Sequence, residues 1–271
     1  MQLSFGMETI RRRGENEFNV ISRLILCYDE YVIGKFFFMK THSTSPIVTG
    51  ASVLGVRYRE GVLLVTDTLA SYGSLAKFTG VSKFKKIGDS TIIGASGEYS
   101  DFQHIGDTLV EMADREWTQN DGEVTSPKSW NAYLCRLLHN RRNKMNPLLN
   151  QIVLGGVDRK TGQSFLSYVD LYGTTYSDDY IATGYGAHLA IPIMRERATP
   201  DMSLEEALDL LRHCMRILFY RDCRTTDMIQ LARVTLDGVE ISNIEKIDSK
   251  WDYSLWTTPT IQLGTMLGAS W

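Results

Sequence analysis

With 271 residues, 43% of them hydrophobic, and a formal net charge of −3, the chain can bury the core of one large domain or two small ones and lacks the bias of disordered or fibrous sequence. The slight negative charge supplies no basic field to neutralise phosphates, which argues against nucleic acid as a partner. Cys27, Cys135, Cys214 and Cys223 fall at no metal-binding spacing, and His42, His104, His139, His188 and His213 are scattered singly, so no metal or other cofactor is expected and the thiols are expected reduced and buried or half-buried.

Arg11-Arg12-Arg13 followed by Val20 to Leu26 superficially suggests a secretory signal. Arg23 interrupts the apolar run, Glu15 and Glu17 stand where a basic flank would continue, and no small-residue cleavage site follows. A second apolar patch, Tyr31 to Met39, carries Lys35 and is too short to span a bilayer, so no membrane is expected as a partner. The chain up to residue 50 reads as lying outside the main fold. Residues 1–45 are expected to be a leader that is trimmed, 46–248 the folded domain, and 249–271 a C-terminal extension.

From Ala51 the pattern changes to short apolar strands and tight turns. Ser52, Leu54, Val56 and Tyr58 fall on one face, and Arg59-Glu60-Gly61 turns the chain into the continuous apolar run Val62 to Thr66, a hairpin with a buried second strand. A second hairpin is predicted from Ser82 to Ile87 and Thr91 to Ala95, across Gly88-Asp89. Tyr99, Phe102, Ile105, Leu109 and Met112 then recur at helical spacing. A second helix opens at Thr125-Ser126-Pro127, with a polar cap and Pro at the first position, and Pro147 ends the region.

Strands return at Ile152 to Val157 and Ser164 to Val169, followed by a short helix near 187–197. A longer helix starts at Ser203, where Glu206 completes a capping box. A last hairpin, Ile229 to Leu236 and Val239 to Ile244, turns on Asp237-Gly238. Strands and helices arriving in blocks predict an antiparallel α+β layer structure, with two sheets faced together and helix pairs outside, rather than a doubly wound sheet. The tail from Ser249 to Trp271 is aromatic and has no clear periodicity. It suits docking on another subunit or packing on its own domain.

Together, Gly61-Val62-Leu63-Leu64-Val65-Thr66-Asp67, Lys83, Gly94-Ala95-Ser96-Gly97 leading to Asp101, and Tyr220-Arg221-Asp222 resemble a β-type subunit of the 20S proteasome over roughly residues 51–245. Within that family, Ser71 to Ala76, Arg141 to Leu148 and Ala182 to Ala187 resemble a non-catalytic subunit type. The resemblance implies the four-layer α/β/β/α sandwich of N-terminal nucleophile hydrolases. Active members attack a peptide carbonyl with an N-terminal Thr, assisted by its own amine and a Lys. An Asp orients the Lys, a Gly amide binds the oxyanion, and a Ser-Asp-Ser set surrounds the amine.

Carried over position by position, Asp67, Lys83, Gly97 and Asp222 match, and Thr225 stands where Ser is usual. Ala51 replaces the nucleophile and Tyr185 replaces a Ser near the amine. No catalytic residue is therefore expected, and the set reads as a vestigial frame. Ala51 also cannot run the self-cleavage at a Gly-Thr bond that matures active members, so the leader is expected to be trimmed by a neighbour, near Thr41, His42, Ser43, Thr44 and Ser45.

The resemblance implies an architectural subunit serving ubiquitin-dependent protein degradation in cytoplasm and nucleus. Its implied partners are other β subunits of its ring, β subunits of the opposite ring including the beta-one and beta-two neighbours, and α-ring subunits. The rival reading is an active threonine or serine hydrolase using Thr49 or Ser52. Ser52 should face away from Lys83, because side chains alternate along a strand. Thr49 has the right parity but lies about 6–7 Å away along an extended chain, at roughly 3.3 Å per residue.

Overall fold

Strand pairing begins ahead of the point where the sequence pattern places it. A computed structural model of the chain describes residues 45–251 apart from 120, 121 and 123. In it β1 (Val48–Gly50) runs antiparallel between β4 (Ala70–Tyr72) and β7 (Thr91–Glu98). Residues 48–50 are thus part of the sheet, which corrects the expectation that everything up to residue 50 lies outside the main fold. A three-residue strand is too short to show a period of two.

The predicted hairpins form. β2 (Val53–Tyr58) pairs with β3 (Gly61–Asp67), and β6 (Phe84–Ile87) pairs with β7. β3 is buried along its whole length, as a strand sandwiched on both faces must be. At Gly61 a Cβ would lie 2.0 Å from the Val234 carbonyl oxygen, so only glycine lets the neighbouring strand approach there.

The helical stripe from Tyr99 to Met112 becomes α1 (Tyr99–Gln119). Ser126 caps α2 (Pro127–Asn143), its hydroxyl accepting from the Ser129 N–H at 3.3 Å. β8 (Asn150–Val157) and β9 (Ser164–Val169) follow. The short strands β5 (Leu75–Phe78), β10 (Thr175–Ser177) and β11 (Tyr180–Ala182) escaped the sequence reading, again for want of length.

The single helix predicted near 187–197 is two, α3 (Gly186–Leu189) and α4 (Ile191–Arg197). Pro192 has no N–H to continue the ladder, so the chain restarts there. Helix α5 (Leu204–Arg221) carries the predicted capping box: the Ser203 hydroxyl accepts from the Glu206 N–H at 3.4 Å, and the Glu206 carboxylate accepts from the Ser203 N–H at 2.8 Å. Ser203→Ala is expected to cost about 1 kcal/mol, read as a lower urea midpoint with an unchanged slope.

The last hairpin is β12 (Met228–Thr235) with β13 (Gly238–Ile241), and a short β14 (Glu245–Lys246) also pairs with β12. β13 ends at Ile241 rather than Ile244, because the Ser242 hydroxyl accepts the Leu231 N–H at 3.0 Å in place of a ladder carbonyl.

One sheet has the order β10-β9-β8-β7-β1-β4-β5, with β6 also on β7. The other runs β11-β2-β3-β12-β13, with β14 on β12. Three apolar cores define the layering. Val53, Val62, Leu64 and Val234 of one sheet meet Ile92, Val153 and Leu166 of the other. Ile93, Ile152 and Leu154 turn outward onto Ile105 and Leu109 of α1 and Leu134 and Leu138 of α2. Leu54, Val56, Leu63 and Val65 turn outward onto Leu211, Met215 and Leu218 of α5 and Met194 of α4. This is the α/β/β/α sandwich. Its central core is closed on both sides by sheets, which is why the strands read as continuous apolar runs.

Cys214 is buried and Cys135 partly so, but Cys223 is exposed, contrary to expectation. It follows the end of α5.

Candidate functional site

The end of β3 and the start of β6 bring two charged groups together inside the sandwich. Lys83 Nζ lies 2.5 Å from Asp67 Oδ1, and both side chains are fully buried. Asp67 Oδ2 also accepts the Leu69 N–H at 3.1 Å. Burial drives both groups toward neutrality, raising Asp67 and lowering Lys83, and their mutual attraction opposes it. The negative charge of Asp222 adds to the upward push on Asp67 and partly offsets the downward push on Lys83.

The lysine stem runs beside the residue before Ala51: a Cβ on Gly50 would sit 3.2 Å from Lys83 Cδ and Cε. Asp222 caps the C-terminus of α5, accepting from the Arg224 N–H at 2.9 Å and from the Thr225 hydroxyl at 3.0 Å. Thr225 therefore supplies the hydroxyl that a Ser would. Ala51, Thr49, Gly97, Tyr185, Asp222 and Arg224 are among the residues lining a cavity of about 350 Å³. The structure thus gathers all seven positions singled out in the sequence, from six separate segments.

Gly97 has φ +96°, and a Cβ there would lie 2.2 Å from the Leu149 carbonyl oxygen. The close approach of the chain that enters β8 therefore requires glycine here. Gly97→Ala should destabilise by more than about 2 kcal/mol, through strain and steric clash together, measured as a drop in the denaturation midpoint.

Ala51, at the position where the resemblance implies a nucleophile, brings a methyl group to the cavity. The hydroxyls of the rival reading have other surroundings. Ser52 is buried and accepts the Gly186 N–H at 2.9 Å, so its oxygen is committed to the start of α3. Thr49 is held in β1 opposite Ser71 and Glu98. Tyr185 is 62% exposed and precedes α3 without capping it through its side chain. Glu98 and Asn150, whose side chains tie β1 and β8 to this region, went unnoticed in the sequence, because a single polar residue at a strand end carries no motif.

Residues 47–234 match the protein family described as "Proteasome subunit". The chain belongs to this family. It is 46% identical over 213 residues to proteasome subunit beta type-4 of Dictyostelium discoideum, covering 78% of this chain and 81% of that one. Against proteasome subunit beta type-4 of Xenopus laevis the identity is 43% over 215 residues, with 78% and 87% covered. Proteasome subunit beta type-7 of Saccharomyces cerevisiae is 38% identical over 224 residues, with 79% and 84% covered.

Among the described residues no group of three or more His, Cys, Asp or Glu is placed to hold a metal, and no helix is long and apolar enough to cross a membrane. Of the segment expected to be trimmed, Thr41, His42, Ser43 and Thr44 lie outside the described residues, while Ser45 is exposed. The C-terminal extension is described only to Trp251. That ring meets Phe219 and Tyr220 of α5 edge-on at 5.7 and 5.3 Å, and the Lys250 N–H donates to the Tyr220 hydroxyl at 2.7 Å. The extension therefore starts by folding back on its own domain.

Proposed function

We propose that this chain is a non-catalytic, architectural β subunit of the 20S proteasome core, acting in protein degradation by holding the particle together. The observation that carries this reading is Ala51. A methyl group occupies the nucleophile position of a site whose buried Lys83–Asp67 pair and Asp222–Thr225 contact are intact. A catalytic frame without an attacking atom has no hydrolytic step to perform. As structure, the pair fixes the end of β3 against the start of β6.

Ring neighbours, opposite-ring β subunits including beta-one and beta-two, and α subunits are the partners this role requires, in cytoplasm and nucleus. Obligate subunits commonly lack a stable isolated state, which suits a chain whose work is assembly. The leader is removed by an active neighbouring subunit, with a mature start between Lys40 and Pro46. The extension beyond Trp251 carries the inter-ring contact.

Native purification followed by mass spectrometry tests all of this at once. The chain is expected in a particle with other proteasome subunits, without label from a covalent proteasome-directed probe, and starting before Ile47. Elution as a monomer, or probe attached to Thr49 or Ser52, would overturn the reading.

A further inference from the structure

The backbone just behind the leader is gripped by a side chain that the catalytic frame does not use. Glu98 ends β7 and is buried. Its Oε2 accepts the backbone N–H groups of both Ile47 and Val48, the latter at 3.2 Å, and its Oε1 accepts the Ser100 hydroxyl at 2.9 Å. Residues 48–50 are then paired to β4 on one edge, and Thr49 and Gly50 also to β7 on the other. Immediately upstream the situation reverses: Ser45, Pro46 and Ile47 are exposed.

Extended peptides are recognised through main-chain hydrogen bonds at a free edge, with side chains read in alternate pockets. A segment already paired on both edges cannot be taken into a protease cleft without first leaving its sheet. Hydrogen bonds to a carboxylate are among the stronger ones, so pulling Ile47 and Val48 away costs more than breaking ordinary ladder bonds.

We propose that Glu98 is a clamp that sets where trimming of the leader stops. Peptide bonds ahead of Ile47 are open to hydrolysis and those from Val48 onward are not. Each cut adds one water across the scissile bond, leaving a carboxylate on the released leader and an ammonium on the domain. The inference rests on the proposed trimming by another protease. It adds the residue that makes the boundary, and Glu98 acts as a positioning residue, not a catalytic one.

The test is intact-mass and N-terminal peptide mapping of chains recovered in assembled particles from cells expressing wild type, Glu98→Gln, Glu98→Ala or Ser100→Ala. Gln keeps an acceptor oxygen, and Ser100→Ala leaves both backbone bonds in place. Wild type and these two variants should therefore start at or before Ile47, whereas Glu98→Ala should start within residues 48–51. In Glu98→Ala the Ile47 and Val48 amides should also exchange with deuterium about tenfold faster or more, the effect of losing roughly one strong hydrogen bond.

A wild-type start at or beyond Val48, or Glu98→Ala recovered with the wild-type start, overturns the clamp. If Glu98→Ala does not accumulate, exchange in the wild-type particle decides: Ile47 and Val48 amides as fast as Ser45 overturn it, and protected ones support it. Failure to find the chain in any particle would sink the proposed function, and Ile47 and Val48 amide exchange measured on the purified free chain would still decide the clamp, so the two ideas fail separately.

Discussion

Ala51→Thr is expected to leave the chain unlabelled by covalent proteasome-directed probes and still starting before Ile47, although it restores the hydroxyl beside Lys83. Two obstacles remain. The nitrogen of residue 51 is an amide while β1 precedes it, and an amide cannot take up the proton that a free N-terminal amine accepts. Freeing it by self-cleavage requires the new hydroxyl to reach the Gly50 carbonyl. That residue is held extended by pairing with Ala70 and Gly97. The exposed Tyr185, at the position where the resemblance implies a Ser near the amine, adds a third departure. A second arm separates these causes: an Ala51→Thr chain released from a fusion so that it begins at residue 51 has its amine but lacks β1. Labelling of that chain alone identifies the strand as the barrier. Labelling of full-length Ala51→Thr, with a new start at residue 51, would show that the missing hydroxyl was the only defect.

The sequence made the long elements legible for reasons that the coordinates explain. Val62 to Thr66 read as a buried strand because it is covered by a sheet on one face and α5 on the other. The capping box at Ser203 is local chemistry and survived folding unchanged. The frame was legible through the family resemblance, which supplied Asp67, Lys83, Gly97 and Asp222 position by position. What stayed hidden was whatever depends on distant partners. β1 has only three residues and no periodicity, and it is a strand because β4 and β7 happen to flank it. Glu98 looked like an ordinary acidic residue before a helix. Its task appears only once Ile47, far away along the chain, lies against it. Pro192 was visible as a residue, yet the stretch near 187–197 read as one short helix.

Lys83→Met should be among the most destabilising single substitutions in the domain, while Asp67→Leu/Lys83→Met should be markedly less so. Removing one partner of a buried pair strands the other, at about 3–5 kcal/mol, whereas replacing both with apolar groups of similar volume is often close to neutral. Here the double variant also leaves the Leu69 N–H without its acceptor, a loss of about 1–3 kcal/mol, so it should fall between wild type and Lys83→Met.

The pH dependence identifies the cause. Burial already holds Asp67 above its ordinary value of 3.8, and without the lysine's attraction it rises further. In that window the folded chain keeps a proton that the unfolded chain has released, so stability is retained below the unfolded value and lost as pH rises through the folded one. The deficit of Lys83→Met should therefore shrink toward pH 4 and grow toward neutrality, while the double variant shows no such slope. Urea midpoints across this pH range provide the measurement, or incorporation into particles at neutral pH where the free chain is not recovered. A deficit independent of pH would mean that the lysine stem packed beside Gly50, and not the charge on Asp67, is what the domain loses.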